Sequence, residues 1–480
     1  GTTNLKAIIF DLEGNMVAEA RRPSPVRALP NGEAVYDTNA LWEAICLTLR
    51  NALSSLGTIT SSGAARDTGI SPNPNTSVAL GKTARTTASP STHILGLSIA
   101  SMAEAGVPLG SRGEALFPII AWYDPRTWAE AQWWRDTFGE DRIFAITGLK
   151  VQHIYSASKI LWLKKNEPEV YRKMAKWACV ADYIAYRLTG ELAMDFSIAS
   201  RTMLFDVKRK AWSPELMEHA GIREEILPRL VPSGTFVGRV TRKASEETGL
   251  KEGTPVFAGG HDHVCGALAT GAIFEGTVLD SSGTAEGILT TITDPRAFLG
   301  SPGSPYNFIL GDPSSTAAVS RSQDCPGPDL IIQGDPSSLR VHKGFGVGHH
   351  VVRDRYYILG GIPASGGTVD WFEREFGSAP TPAMASDPAP TAFYRPGAQG
   401  LLFLPHLRGS GPPTRDATSK GAFIGIRPYH TRLDFAQAVL EGLSFEFRLA
   451  IEALEGLVGK KVERIVAIGG GTKNERWIQT

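Results

Sequence analysis

Pro255-Val-Phe-Ala-Gly-Gly-His261-Asp262-His263-Val-Cys-Gly-Ala267, followed by Gly276-Thr-Val-Leu-Asp280-Ser-Ser-Gly-Thr284-Ala-Glu286, is the stretch whose reading decides the fold. Val256–Ala258 is a short apolar run and reads as a buried strand. Gly259 and Gly260 are expected to stop it and to let the backbone turn tightly. His261-Asp262-His263 then falls at the strand's C-terminal end, where open α/β sheets hold their ligands. Val264–Ala269 reads as the first turns of a helix. Thr277–Asp280 reads as a second strand. It runs into Ser281-Ser282-Gly283-Thr284, a small-residue turn whose amides and hydroxyls can cradle a phosphate. A carboxylate at a strand end, followed by such a turn, points to phosphoryl transfer. Blander readings compete. A lone Asp after Gly-Gly is more often a turn or cap residue, and Ser-Ser-Gly-Thr turns are common. His261-Asp262-His263 also has the donor types of a metal site, which leaves a metal hydrolase as a minor reading. No other His or Cys pair nearby has ligand spacing, and no metal ligand is assigned.

Composition bounds the rest. A chain of 480 residues has room for two or three domains, each with its own core. Hydrophobic content of 42% and charged content of 20% are ordinary for a soluble globular protein. Lys+Arg and Asp+Glu both number 49, so the zero net charge favours neither nucleic acid nor an acidic membrane surface. Cys46, Cys179, Cys265 and Cys325 form no Cys-x-x-Cys pair and no disulfide framework, which suits a reducing cytosol. No apolar run is long enough to span a bilayer, and no signal peptide is evident. The chain opens at Gly1 in the middle of what reads as a motif, so a fragment is expected.

In chain order, Ala7–Phe10 and Met16–Ala18 flank a polar turn and predict a hairpin. Leu41, Ile45, Leu49 and Leu53 give Thr38–Leu53 helical spacing. Gly57–Thr92 is rich in Ser, Thr, Gly, Asn and Pro and reads as a long loop or insertion. Ile94–Ile99 and Phe117–Trp122 read as strands that deliver Glu104 and Asp124 beyond their C-terminal ends. Trp128–Thr137, Ser158–Lys165 and Ala178–Leu188 read as helices, the last closed by Thr189-Gly190. Ser200–Asp206 reads as extended, and Gly234–Ala244 as a domain boundary. Pro295–Leu339 is a second atypical stretch, and Ala379–Pro396 a Pro/Ala linker. Tyr356–Ile362, Leu401–Leu404 and Ala422–Ile426 read as strands. Thr431-Arg-Leu-Asp434 fits a capping box that opens a helix with a core stripe of Leu440, Leu443, Phe447, Ile451 and Leu454. Ile465–Ile468 reads as a strand before Gly469-Gly470-Gly471-Thr472, a glycine loop of the kind that nucleotides approach.

Together these pieces resemble the FGGY family of carbohydrate kinases, in the actin/Hsp70/hexokinase superfamily. Lys159-Ile-Leu-Trp162-Leu-Lys-Lys-Asn166 looks like the family's N-domain signature. Gly421-Ala-Phe-Ile-Gly425-Ile426, seven residues, then Asp434-Phe-Ala-Gln-Ala-Val-Leu-Glu441 is similar to its C-domain signature. The resemblance implies an α/β fold of two ribonuclease H-like domains, 1–250 and 251–480, with 57–92 and 295–339 as atypical inserts. ATP and sugar would share the interdomain cleft. It implies transfer of the γ-phosphate of Mg-ATP (ATP and Mg2+ as cofactors) to a hydroxyl of a ketose such as xylulose, or of a related sugar or polyol. Asp262 looks like the catalytic base. Glu104, Trp122, Asp124 and His261 fall where family members hold sugar. Thr2 and Thr3 resemble the first phosphate motif, Gly283 and Thr284 the second, and Gly469, Gly470 and Gly471 the adenosine loop. The implied partner is a small-molecule sugar, with no nucleic acid and no membrane. A cytoplasmic location and a homodimer are compatible with it. Family members carry an Asp-x before the equivalent of Gly1, and this chain begins after it. A kinase-like domain that binds sugar or nucleotide without turnover is therefore the alternative.

Overall fold

The computed structural model describes residues 3–59, 94–295, 299, 344–377, 396–416 and 418–480. Of the Gly57–Thr92 stretch, only 57–59 lie within the described residues, where they close the helix Thr38–Ile59. Almost all of Pro295–Leu339 and Ala379–Pro396 lie outside them, as does Thr2.

Pro255–His261 forms one strand, at the centre of a three-stranded sheet. It pairs antiparallel with Phe236–Arg239 and parallel with Leu97–Ser101, and His261 lies opposite Ser101. Gly259 and Gly260 do not stop the strand, contrary to expectation. They sit in a register break against its parallel neighbour. A Cβ on Gly259 would lie 2.0 Å from the Ile99 carbonyl oxygen, so glycine serves close backbone approach rather than termination. The helix Asp262–Ala269 starts directly at the strand end, two residues earlier than Val264–Ala269.

Thr277–Ser282 is central to a second sheet. It pairs antiparallel with Glu286–Ile292 and parallel with Arg464–Ile468, and Tyr356–Ile362 and Phe345–His349 complete the order beyond Glu286–Ile292. Ser281 and Ser282 are strand residues, which leaves Gly283, Thr284 and Ala285 as the turn. A third sheet holds Val26–Ala28, Ala34–Tyr36, Ile119–Ile120, Gly106–Leu109 and Lys176–Cys179. The predicted hairpin is present as Asn4–Phe10 paired with Met16–Pro23.

Three further expectations change. Phe117–Trp122 keeps only Ile119–Ile120 as strand. Ala178 and Cys179 end a strand, and the helix starts at Val180, where the Asp182 carboxylate accepts from the Cys179 amide at 3.0 Å. That helix does end at Gly190, at φ 80°, as Thr189-Gly190 predicts. Ser200–Met203 is not extended but a turn after the short helix Phe196–Ala199, and Met203 takes φ 62°. The helix Arg432–Val458 opens on the expected capping box: Asp434 accepts from both the amide and the hydroxyl of Thr431 at 2.7 Å.

The halves of the chain share a core. Ala103, Cys179, Ile198 and Phe205 pack in one cluster with Val278, Ile288, Phe345 and Ile451. Full burial of the Ile, Val and Phe side chains among them contributes about 1.5–3 kcal/mol each. Two of the parallel strand pairs, Leu97–Ser101 with Pro255–His261 and Thr277–Ser282 with Arg464–Ile468, end in segments singled out above. Among the described residues, no helix is long and apolar enough to cross a membrane.

Candidate active site

Asp262 occupies the first position of its helix, after His261 leaves the strand with φ −62° and ψ 130°. The short helix Phe196–Ala199 fixes this corner. Asp195 accepts from the Ser197 amide and hydroxyl at 2.8 and 2.7 Å, and the Ser197 hydroxyl in turn accepts from the His261 amide at 2.9 Å. Buried hydrogen bonds of this kind determine where the next residue points. The Asp262 side chain remains 41% exposed, and one of its oxygens accepts from the His263 amide at 2.8 Å. Desolvation works to raise the Asp262 carboxyl, but the adjacent His263 and His261 rings and the His263 amide outweigh it and hold the carboxyl below its ordinary value. It is therefore a carboxylate at neutral pH.

His261 is 3% exposed, and burial pushes it down to about 4, so at neutral pH it is an uncharged ring. Its Nε2 lies 3.4 Å from an Asp262 oxygen, and its Nδ1 has no partner. One ligand-type atom from each of His261, Asp262 and His263 lies within 4.8 Å of the others, so the donor types noted in the sequence do converge.

Glu104 reaches the same end of the sheet, three residues beyond Ser101. Its side chain is 8% exposed and bound to Arg201. Lys159 is buried, with its ammonium bonded to the carbonyl oxygens of Glu104 and Ile154. Desolvation lowers Lys159 to about 8, against the opposing pull of Glu104. Trp122 is half-buried and meets Tyr123 edge-on at 5.3 Å.

Asp124 is fully buried, and both of its oxygens are occupied. Oδ1 accepts from the amide and Nε of Arg126, at 3.0 and 2.8 Å, and Oδ2 from the Ala34 amide and Arg126 Nη2, both at 2.7 Å. Two bonds per oxygen exhaust a carboxylate's acceptor sites. The expected role of Asp124 as a free acceptor for a sugar hydroxyl does not fit this geometry, which makes it an anchor instead.

The phosphate-type turn and the glycine loop lie side by side because Ser281 pairs with Ile468. Gly283 and Thr284 are exposed. Gly469 takes φ 102°, and a Cβ there would lie 2.2 Å from the Ser282 carbonyl oxygen. One on Gly471 would lie 2.1 Å from Ser282 Oγ. The loop is thus pressed against the strand end as only glycine allows. Gly470 starts a short 3-10 turn, Gly470–Lys473. Thr3 is exposed, and its carbonyl oxygen accepts from the Ser24 amide at 2.9 Å.

Sequence reasoning missed Arg201, Ser197 and Glu286. Asp195-Phe-Ser197 carries a local signal, since an Asp two residues before a Ser commonly caps a helix start. The Glu104–Arg201 pairing, 97 positions apart, has none.

A carboxylate at the C-terminal end of one parallel strand pair and an exposed small-residue turn at the end of another sit on a two-domain actin-like ATPase fold. The family models for the N-terminal and C-terminal domains of the FGGY family of carbohydrate kinases match residues 75–269 and 338–480. A xylulose kinase of Bacillus subtilis (strain 168) is 31% identical over 384 residues, covering 80% of this chain and 68% of the relative. An L-fuculokinase of Escherichia coli (strain K12) is 26% identical over 388 residues, covering 81% and 71%. The crystal structure of xylulose kinase from Rhodospirillum rubrum superposes with a TM-score of 0.74 at 25% identity, covering 99% of this chain and 82% of that one. The chain belongs to the FGGY family of carbohydrate kinases, enzymes that phosphorylate alcohol groups with ATP as the implied donor.

Proposed function

We propose that this protein transfers the γ-phosphate of ATP to a hydroxyl of a ketose, of which xylulose is the leading candidate, with Asp262 as the base. The observation that carries the reading is a charged, partly exposed Asp262 carboxylate fixed at the strand end by the Ser197–His261 bond. In the reaction, Asp262 accepts the proton of the attacking hydroxyl. That oxygen bonds to the γ-phosphorus as the bond to the β-phosphate oxygen breaks, and ADP leaves with its electron pair. A carboxylate held below its ordinary value is a weak base. It suits a loose transition state, in which the hydroxyl needs orienting more than early deprotonation.

Glu104 and His261 are proposed to contact the sugar, with Trp122 offering an apolar face. Gly283 and Thr284 are proposed to take phosphate, and Gly469, Gly470 and Gly471 the adenosine. Thr2 and Thr3 are proposed for the first phosphate motif. Mg2+ would neutralise the phosphate charge. Hard oxygen donors suit it, and the exposed Asp262 carboxylate is of that type. The division into domains 1–250 and 251–480, a cytoplasmic location and a homodimer belong to the same proposal.

The experiment is a coupled ADP-release screen of pentuloses, hexuloses and polyols. Sugar-dependent release, fastest with a ketose, supports the reading. ATP binding without sugar-dependent release would instead support a non-catalytic binder.

A further inference from the structure

Asp280 and Glu286 lie on adjacent antiparallel strands just behind the phosphate-type turn. Ser282 pairs with Glu286 and Asp280 with Ile288, so the two carboxyl groups share one face, two residues apart along the ladder. Both are buried, at 8% and 5% exposed. Ser365 is fully buried, and its hydroxyl donates to Glu286 Oε2 at 2.6 Å. Ser365 precedes the helix Gly366–Phe376, where a serine would ordinarily cap the first turn, yet it makes no such bond. Its hydroxyl is spent on Glu286 instead. The same segment grips the turn through its backbone: the Ser365 and Gly367 amides donate to the Thr284 carbonyl oxygen at 3.1 and 3.0 Å, and the Gly366 amide to that of Gly283 at 2.9 Å. Ser282, between the acid pair and Gly471, has a buried hydroxyl without a partner.

We propose that Glu286, Ser365 and Asp280 are positioning residues for the nucleotide. They fasten the Gly283-Thr284 turn to the start of the Gly366–Phe376 helix, and the fastening holds while the two carboxyl groups keep one proton between them. The inference rests on the kinase reading above. Two neighbouring buried carboxyls cannot both ionise cheaply, and a doubly charged pair behind the turn would also repel the phosphates. Burial, reinforced by the charge of Glu286, pushes Asp280 up to about 9, and burial pushes Glu286 up as well, so the pair keeps a proton through neutral pH. The titratable groups on the elements packed around it are Asp262, His263 and Cys265, Arg464, Tyr356 and Tyr357, Lys473, and Asp370, Glu373, Arg374 and Glu375. The upward shift of Asp280 arises from burial and from Glu286.

The test measures ATP binding by calorimetry and the KM values for ATP and sugar from pH 7 to 10. The proteins are wild type, Glu286→Ala, Ser365→Ala and Asp280→Asn. Loss of a hydrogen bond to a charged group predicts an ATP KM raised about ten-fold or more in Glu286→Ala and in Ser365→Ala, with the sugar KM within two-fold. Wild-type ATP KM should rise above about pH 9. Asp280→Asn, whose amide donates at every pH, should lack that rise. An unchanged ATP KM in the first two variants, an equal rise for ATP and sugar, or an alkaline rise retained in Asp280→Asn overturns the inference alone. Wild type that binds no ATP overturns the kinase reading and this inference with it.

Discussion

Arg201 holds Glu104 with two nitrogens on one oxygen: Nε and Nη2 both lie 2.7 Å from Glu104 Oε1. Both side chains are buried, and the pair links the turn after Phe196–Ala199 to the end of the Leu97–Ser101 strand. Burial works to raise the Glu104 carboxyl, but Arg201 outweighs it, with His261 adding in the same direction, so Glu104 stays charged.

Breaking this pair by Arg201→Ala should cost about 3–5 kcal/mol of stability, because the Glu104 charge is left buried and unpaired. The double variant Glu104→Gln/Arg201→Met should recover part of that loss. Chemical denaturation of the three proteins checks this, and a single variant as stable as wild type would refute it. Arg201→Lys keeps the charge but loses the two-nitrogen grip. It should weaken the sugar and leave ATP binding within two-fold.

Asp124 should behave as an anchor. Asp124→Asn preserves volume but keeps one acceptor oxygen, so its NH2 must face either the Arg126 amide and Nε or the Ala34 amide and Arg126 Nη2, and a stability loss of about 3–5 kcal/mol is expected. The melting temperature measures it. A variant of unchanged stability whose sugar KM alone rises would restore the role expected from the sequence, that of a direct sugar contact.

Three buried histidines and the half-buried His153 make the fold acid-sensitive. Burial pushes His153, His261, His349 and His350 down to about 4 from an ordinary 6.5. The folded chain keeps them neutral while the unfolded chain takes up protons. Stability is therefore fully present above pH 6.5 and is lost as pH falls from 6.5 towards 4, by up to about 1.4 kcal/mol per pH unit for each ring. Thermal melts across pH 4–7 should show this slope, and His349→Gln should reduce it. A flat profile above pH 4.5 would contradict it.

Much of the candidate site was legible because it is local. A strand, a Gly-Gly pair and Asp262 are contiguous, and so are the Thr277 strand and its turn. Local chemistry also gave the Thr431–Asp434 box. The errors have a common cause in contacts distant in sequence. Gly259 looked like a strand end because nothing local shows that Ile99 presses against it. Ser200–Met203 looked extended, yet it turns so that Arg201 can reach Glu104 and Ser200 can accept from the His349 amide at 3.0 Å. Asp124 looked free because its second partner, the Ala34 amide, lies 90 residues away.

The most direct test of the central claim compares wild type with Asp262→Asn, measuring sugar-dependent ADP release beside ATP binding by calorimetry. The account predicts that turnover falls by a factor on the order of 10² to 10⁴, while ATP affinity stays within a few-fold. Turnover within a few-fold of wild type, in a variant that still binds ATP, would contradict the assignment of Asp262 as the base.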